Sequence, residues 1–276
     1  MTIKDSVRKY TNDLKNVTHI PAKEVEILIM FLLDKNPIWL HLNYNKEFEK
    51  QKELEVLVKK RATNYPLEYI TKKASFYGEQ FIVNEGVLIP RPETEILVES
   101  AVNILKENIT NETKTIVEIG TGSGIISVML ALMVENIKII AVDINPKALD
   151  LAKQNAEKFV VLEKIDFRLS NLFENIDEED IFMLVSNPPY ISNSYKLPKN
   201  VEFEPKNALF GGDIGDELLK DIIKQSNDKK IKYLLCEMGY DQKKPLEEYF
   251  KKFNVEFHNF YKDYEDFDRG FILKFK

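Results

Sequence analysis

Val117-Glu-Ile-Gly-Thr-Gly-Ser-Gly124 closes a short apolar strand, expected over 115–119, and opens a helix that runs through residue 134. Its three glycines, Gly120, Gly122 and Gly124, let the backbone turn tightly and let a ligand approach the main chain with no Cβ in the way. The following strand, expected over 138–142, ends at Asp143, 19 residues beyond Gly124. In a doubly wound sheet both features lie at the carboxyl edge, where nucleotides bind, and an acid there accepts both hydroxyls of a ribose. A dinucleotide fold and an S-adenosylmethionine fold both use this arrangement. The spacing here is G-x-G-x-G, with Ile125 where a dinucleotide motif carries its third glycine. That favours adenosylmethionine, which has no pyrophosphate to cradle.

Working outward, strand and helix signals keep alternating. Helices are expected over 146–158, 213–226 and 245–252, and strands over 165–169, 181–186, 231–238, 255–260 and 271–275. Such alternation predicts a mostly parallel sheet with helices on both faces. The link between the last two strands is too short for a helical crossover, so they are expected to pair antiparallel. Upstream the pattern differs. Val25, Leu28, Ile29, Leu32 and Leu33 mark one helical face, Pro37 opens a short piece with Trp39 and Leu42, and Leu54, Leu57 and Val58 mark a helix within 46–61. Aromatic and β-branched residues around Asn84-Glu85-Gly86 predict a hairpin over 76–89. Pro90-Arg91-Pro92 then stiffens the chain, and Thr94 precedes an amphipathic helix. The expected organisation is a helical bundle over 1–73, a hairpin and linker over 74–92, and a catalytic domain over 93–276.

Composition narrows the chemistry. The chain has 276 residues, 44% hydrophobic and 30% charged, and a net charge of −6. That sign argues against a wholly electrostatic nucleic-acid binder. One cysteine, Cys236, excludes an intramolecular disulfide framework, and His19, His41 and His258 give no zinc spacing, so no metal is expected. No apolar run reaches the ~18 residues of a membrane span, and the N-terminus lacks a signal-peptide core. The expected location is the cytoplasm. Cys236 reads as a core residue, Asp177-Glu-Glu-Asp180 as a solvated turn, and Arg91 as the partner of a local carboxylate.

Leu184-Val-Ser-Asn-Pro-Pro-Tyr190 ends the fourth strand of the sheet. Two prolines cannot donate to a ladder, so the strand stops at Asn187. They also hold the Asn187 side chain and the Pro188 carbonyl in a fixed relation. Both are acceptors, and together they can grip the two N–H bonds of one planar NH2 group, with Tyr190 offering an aromatic face. The lone pair of such a nitrogen is delocalised and nucleophilically weak. Two acceptors favour its loss of planarity as an S–CH3 bond breaks, and alignment supplies the rest. No histidine or carboxylate base is demanded.

These residues resemble the protein-(glutamine-N5) methyltransferases of peptide-chain release factors, the HemK/PrmC family. Val87-Leu-Ile-Pro-Arg-Pro-Glu-Thr-Glu95, Glu118 to Gly124, Val142-Asp-Ile-Asn-Pro-Lys-Ala-Leu149 and Ser186-Asn-Pro-Pro-Tyr-Ile191 follow in the family's order. So do Phe203-Glu-Pro-Lys-Asn-Ala-Leu209 with Gly211-Gly212, Glu237-Met-Gly-Tyr-Asp-Gln242, Lys262-Asp263 and Asp268-Arg269-Gly270. The resemblance implies a class I S-adenosylmethionine-dependent fold: a Rossmann-like seven-stranded sheet with its last strand antiparallel, plus a small N-terminal helical domain that docks the substrate. It implies S-adenosyl-L-methionine as cofactor, S-adenosyl-L-homocysteine as product, and a release-factor glutamine, that of the Gly-Gly-Gln motif, as acceptor. It places Gly120, Thr121, Gly122, Ser123 and Gly124 along the cofactor, Asp143 on its ribose and Asn171-Leu172 at its adenine. Asn187 would touch cofactor and substrate, with Asn187, Pro188, Pro189 and Tyr190 around the glutamine amide and Asn187, Pro188 and Tyr190 as the catalytic set. Many members carry Asp then an aromatic where this chain has Asn171 and Leu172, with Phe173 next.

Two other readings compete. A nucleic-acid methyltransferase acting on an exocyclic amine suits Asn-Pro-Pro with an aromatic, but would flip a base or use single strands and need a cationic track. A module that senses adenosylmethionine without catalysis leaves Asn-Pro-Pro-Tyr unexplained. The expected partners are release factors, with neither membrane nor nucleic acid.

Overall fold

A computed structural model describes residues 1–108 and 110–276. It divides into two compact units, Met1–Lys73 with Leu197–Phe203, and Ala74–Lys196 with Glu204–Lys276. The first carries α1 (Ile3–Leu14), α2 (Pro21–Leu33), α3 (Pro37–Leu42), α4 (Gln51–Ala62) and α5 (Leu67–Thr71). Thr2 and Asp5 form a capping box at the start of α1, each side chain accepting from the other's backbone N–H. Ile3, Val7, Tyr10 and Leu14 bury one stripe of α1, which packs on α2 and α4. On α2 the expected face is buried at Val25, Leu28 and Ile29 and half-buried at Leu32 and Leu33. Arg61 and Glu24 form a buried two-pronged pair, Nε to Oε2 at 2.6 Å and Nη2 to Oε1 at 3.1 Å, so neither charge lacks a partner.

The second unit opens with β1 (Lys73–Phe76) and β2 (Glu79–Ile82), a two-stranded sheet. The expected turn at 84–86 is displaced: the chain reverses at Tyr77-Gly78, both at positive φ, 52° and 75°. Two such residues make the turn whose twist matches a hairpin. Tyr77 is held there by Glu95, whose carboxylate accepts its N–H at 2.7 Å and whose carbonyl accepts its hydroxyl at 2.9 Å. The chain continues through α6 (Thr94–Glu107), β3 (Lys114–Ile119), α7 (Ile125–Met133), β4 (Ile137–Asp143), α8 (Pro146–Lys158), β5 (Ile165–Leu169) and β6 (Met183–Ser186). Then follow β7 (Ile191–Ser192), β8 (Phe210–Gly212), α9 (Glu217–Asp228), β9 (Tyr233–Glu237), α10 (Lys243–Phe250), β10 (Val255–Lys262) and β11 (Asp268–Phe275). Helix α9 starts four residues later than expected, because the Glu217 carboxylate accepts the N–H groups of Ile214 and Gly215 and folds the preceding residues into a turn.

The central sheet has seven strands in the order β10-β11-β9-β6-β3-β4-β5. Strands β3, β4, β5, β6 and β9 run parallel, and β11 and β10 are antiparallel to their neighbours. Alternate residues serve opposite faces. Ile116, Ile139, Met183 and Val185 join α6 and α7 in one core, while Val117, Ile140, Leu184 and Cys236 join α9 and α10 in the other. The strand order reverses between β3 and β6. Their register pairs Ile119 with Ser186, and β3 with β4 pairs Ile119 with Val142. Gly120, Asp143 and Asn187 therefore leave three adjacent strands side by side at the switch point.

Candidate active site

A cleft enclosing roughly 1050 Å³, part of it open to solvent, lies over these strand ends. Gly120 to Ser123, Asp143, Ser170 to Leu172 and Asn187 to Pro189 line it, together with Val87, Arg91, Thr94 and Glu118. The glycine turn is built by conformation and contact. Gly120, Gly122 and Gly124 hold φ of 73°, 55° and 79°. A Cβ on Gly124 would stand 2.9 Å from the Ala152 Cβ, so this glycine lets α7 and α8 meet. A Cβ on Gly120 or Gly122 would meet nothing closer than 4.0 Å, so those two serve the backbone shape.

Asp143 holds the turn in place. Its Oδ2 accepts from the Gly122 N–H at 2.9 Å and its Oδ1 from the Asn145 N–H at 2.8 Å. Burial raises its pKa, and each oxygen keeps acceptor capacity for a diol. Glu118 is 1% exposed. Its Oε2 accepts from Thr121 Oγ1 at 2.8 Å, from the Ser127 N–H at 3.1 Å and from the Ser127 hydroxyl. Its Oε1 is buried with no hydrogen-bond partner among the described residues. Burial pushes the carboxyl up to about 7. A buried carboxylate with one free oxygen in a nucleotide-sized cleft suits a cationic ligand group. Asn171 donates from Nδ2 to Glu174 Oε1 at 2.9 Å, which leaves its Oδ1 as an acceptor, and Leu172 beside it adopts φ 47°. Phe173 belongs to the core beneath and is not among the lining residues.

At the other end, Asn187 donates from Nδ2 to Thr94 Oγ1 at 3.0 Å, and Thr94 Oγ1 donates to Glu237 Oε2 at 2.5 Å. Tyr190 donates its hydroxyl to Glu237 Oε1 at 3.3 Å and hydrogen-bonds with Arg269. Its ring is not among the lining residues. Glu237 is 1% exposed, and burial pushes it up to about 7 against the opposing pull of the Thr94 hydroxyl and Arg269. Gln242 donates to the Tyr190 carbonyl at 2.9 Å while accepting the Gly239 N–H at 2.8 Å. Gly211 and Gly215 pass so close to the Pro189 and Tyr190 carbonyls that a Cβ would stand 2.4 and 2.6 Å away. Arg91 does meet a carboxylate: Nη2 lies 2.5 Å from Glu204 Oε1, and Glu204 Oε2 accepts the Ile89 N–H at 3.0 Å.

The structure thus gathers Gly120 to Ser123, Asp143, Asn171, Leu172, Asn187, Pro188 and Pro189 around one cleft. Gly124 stands just behind it at the α7–α8 contact, and Tyr190 stands behind Asn187 against Glu237. Sequence reasoning assigned no role to Glu118, Thr94 or Glu237. Glu118 and Glu237 are each a carboxylate inside an apolar strand, and Thr94 sits in the first turn of α6 with its hydroxyl committed to the site.

Fold and site together define a class I S-adenosylmethionine-dependent methyltransferase. The match to a methyltransferase small domain spans residues 95–202, and a PrmC N-terminal domain matches residues 5–71. The chain is 36% identical to the release factor glutamine methyltransferase of Buchnera aphidicola over 98% of each chain, and 33% identical to that of Aquifex aeolicus over 95% and 94%. It belongs to the release factor glutamine methyltransferase family. The N-terminal domain of human METTL16 in complex with SAH shares the fold, with a TM-score of 0.53 at 17% identity over 90% of this chain and 94% of that one. No helix among the described residues is long and apolar enough to cross a membrane.

Proposed function

We propose that Asn187 and the Pro188 carbonyl clasp the side-chain amide of a release-factor glutamine while the glycine turn, Asp143 and Asn171 hold the methyl donor beside it. The enzyme transfers a methyl group from S-adenosyl-L-methionine to the N5 nitrogen of that glutamine and leaves S-adenosyl-L-homocysteine. When bound, the donor supplies an electrophilic methyl on a sulfonium sulfur. Gly120 and Gly122 would offer it backbone without Cβ atoms, Asp143 would accept ribose hydroxyls, Asn171 Oδ1 would accept from adenine and Glu118 Oε1 would accept from its ammonium. The observation that carries the amide clasp is the orientation of Asn187. Its NH2 is turned to Thr94, so Oδ1 is the acceptor available to a substrate N–H. Two acceptors on one NH2 oppose amide resonance as the new N–C bond forms, and the nitrogen then loses one of its two protons.

The glutamine of a Gly-Gly-Gln motif is the proposed acceptor, and the helical unit, with Ile38 72% and Leu42 81% exposed on α3, is the proposed docking module. The test is a mass measurement of purified release factor before and after incubation with enzyme and labelled donor, with the modified residue located by fragmentation. A factor carrying Gln→Ala, RNA and DNA are offered in parallel. Label on the glutamine of the factor alone is expected; label on nucleic acid, with none on the factor, would overturn the reading.

A further inference from the structure

Behind the cleft stands a chain of side chains that touches neither pocket wall nor solvent at its far end: Asn187 Nδ2 to Thr94 Oγ1 at 3.0 Å, then Thr94 Oγ1 to Glu237 Oε2 at 2.5 Å. Its members come from β6's end, α6's first turn and β9's end, 143 residues apart at the extremes. Thr94 is fully buried and Glu237 nearly so. Burying this much polar surface at the junction of three elements is costly unless every group is satisfied in one sense.

The sense follows from counting protons. Thr94 has one hydroxyl hydrogen. An ionised Glu237 can only accept, so that hydrogen goes to Oε2. The Thr94 oxygen is then left as an acceptor toward Asn187, which must turn its NH2 to it. Asn187 Oδ1 consequently faces the cleft. We infer that Thr94 and Glu237 are positioning residues that set the flip state of the Asn187 amide, and so make it an acceptor for the substrate N–H rather than a competing donor. This inference rests on the glutamine-clasp reading given above.

The relay has a reverse sense. A protonated Glu237 can donate to Thr94 Oγ1, which frees the Thr94 hydrogen for Asn187 Oδ1 and turns the NH2 into the cleft. The charged and titratable groups facing Glu237 are Arg269 and Tyr190 from β11 and the loop after β6, Tyr261 from β10, Glu93 before α6 and Cys236 on β9. Arg269 favours the ionised form, while burial and Glu93 oppose it. Turnover at saturating donor should therefore fall on the acid side as Glu237 takes up its proton.

The experiment compares wild type, Thr94→Val and Thr94→Ser in the full chain, with Thr94→Ala replacing the valine should that variant fail to fold. Release-factor methylation gives kcat and KM across pH 6 to 8, and calorimetry gives S-adenosyl-L-homocysteine affinity. Loss of one oriented hydrogen bond predicts a kcat about tenfold lower in Thr94→Val. Homocysteine-product affinity should stay within about twofold, and Thr94→Ser, which keeps the hydroxyl, should recover most of the rate. The acid limb of the wild-type kcat should be absent in Thr94→Val. A wild-type kcat in Thr94→Val, a serine no better than the valine, or the same acid limb in both would overturn the relay. A wild type that fails to label the factor would instead defeat the clasp reading.

Discussion

Gly211 offers a steric test of how tightly the Asn-Pro-Pro-Tyr corner must be held. It does not occupy the left-handed region, so alanine suits its backbone. The obstacle is space alone: the added Cβ would stand 2.4 Å from the Pro189 carbonyl oxygen, 2.5 Å from the Gly215 carbonyl oxygen and 3.0 Å from the Pro189 carbonyl carbon. All three are backbone atoms and none can rotate away. Reaching even 3.0 Å from the oxygen requires a shift of 0.6 Å, the difference between 3.0 and 2.4. Two consecutive prolines pass that shift on to Asn187 rather than absorb it. Overpacking of this kind costs about 1–3 kcal/mol of stability. A reacting group misplaced by up to about 1 Å loses on the order of 10²-fold in rate. Gly211→Ala is therefore expected to remain folded, lose roughly that factor in kcat on a release factor, and keep its affinity for S-adenosyl-L-homocysteine. Gly122→Ala is the counterpart, with open space for its Cβ but φ of 55°; it should lose donor affinity more than turnover. Methylation kinetics with calorimetry on the same preparations separate the two. Undiminished kcat in Gly211→Ala, or equal losses of rate and donor affinity, would refute the reasoning.

Asn187→Ala removes the acceptor facing the substrate amide and should lower kcat by at least about 10²-fold with an unchanged circular dichroism spectrum; near-normal turnover would defeat the clasp. Asp143→Ala should weaken S-adenosyl-L-homocysteine binding by at least roughly 10–100-fold, the worth of one charge-assisted bond, and unchanged calorimetry would remove Asp143 from the ribose. Burial pushes Glu118 from 4.5 up to about 7, so the folded state holds a proton that the unfolded state has released between those values. Its contribution to stability accordingly falls as pH rises from 4.5 to 7, on the order of 3 kcal/mol in all. Donor binding should respond oppositely and tighten as pH passes 7, because only the ionised form receives an ammonium. In Glu118→Gln both pH responses should flatten, as read by thermal melts and calorimetry. Ile38→Asp with Leu42→Asp should raise KM for the release factor several-fold and leave donor affinity alone; an unchanged KM would take α3 out of docking.

The catalytic half of the chain was open to sequence reading where local and tertiary signals agree. Pro146 at the first helical position, with Asn145 accepting the Lys147 N–H, fixes the start of α8. Apolar strands buried on both faces, such as 137–143, mark the parallel sheet. The hairpin was misplaced because Asn84-Glu85-Gly86 carries the stronger local turn composition. A tyrosine at φ 52° becomes a turn residue only through Glu95, 18 residues on. The same applies to the site. The residues that would meet ligand stand in motifs at strand ends, where topology is legible. Thr94 and Glu237, 143 residues apart, acquire meaning only when α6 and β9 close around Asn187.

Strand order also has a consequence for assembly. Strand β11 lies between β9 and β10, although β10 is synthesised first. Growth from the ribosome cannot add these strands in spatial sequence: β10 has no neighbour in the sheet until β11 exists. Strand β10 can therefore join the sheet only with or after β11, the strand that carries Arg269 to Tyr190. The arginine that meets Tyr190 behind the cleft thus arrives on the strand that β10 depends on, and hydrogen exchange during refolding should find β10 protected no earlier than β11.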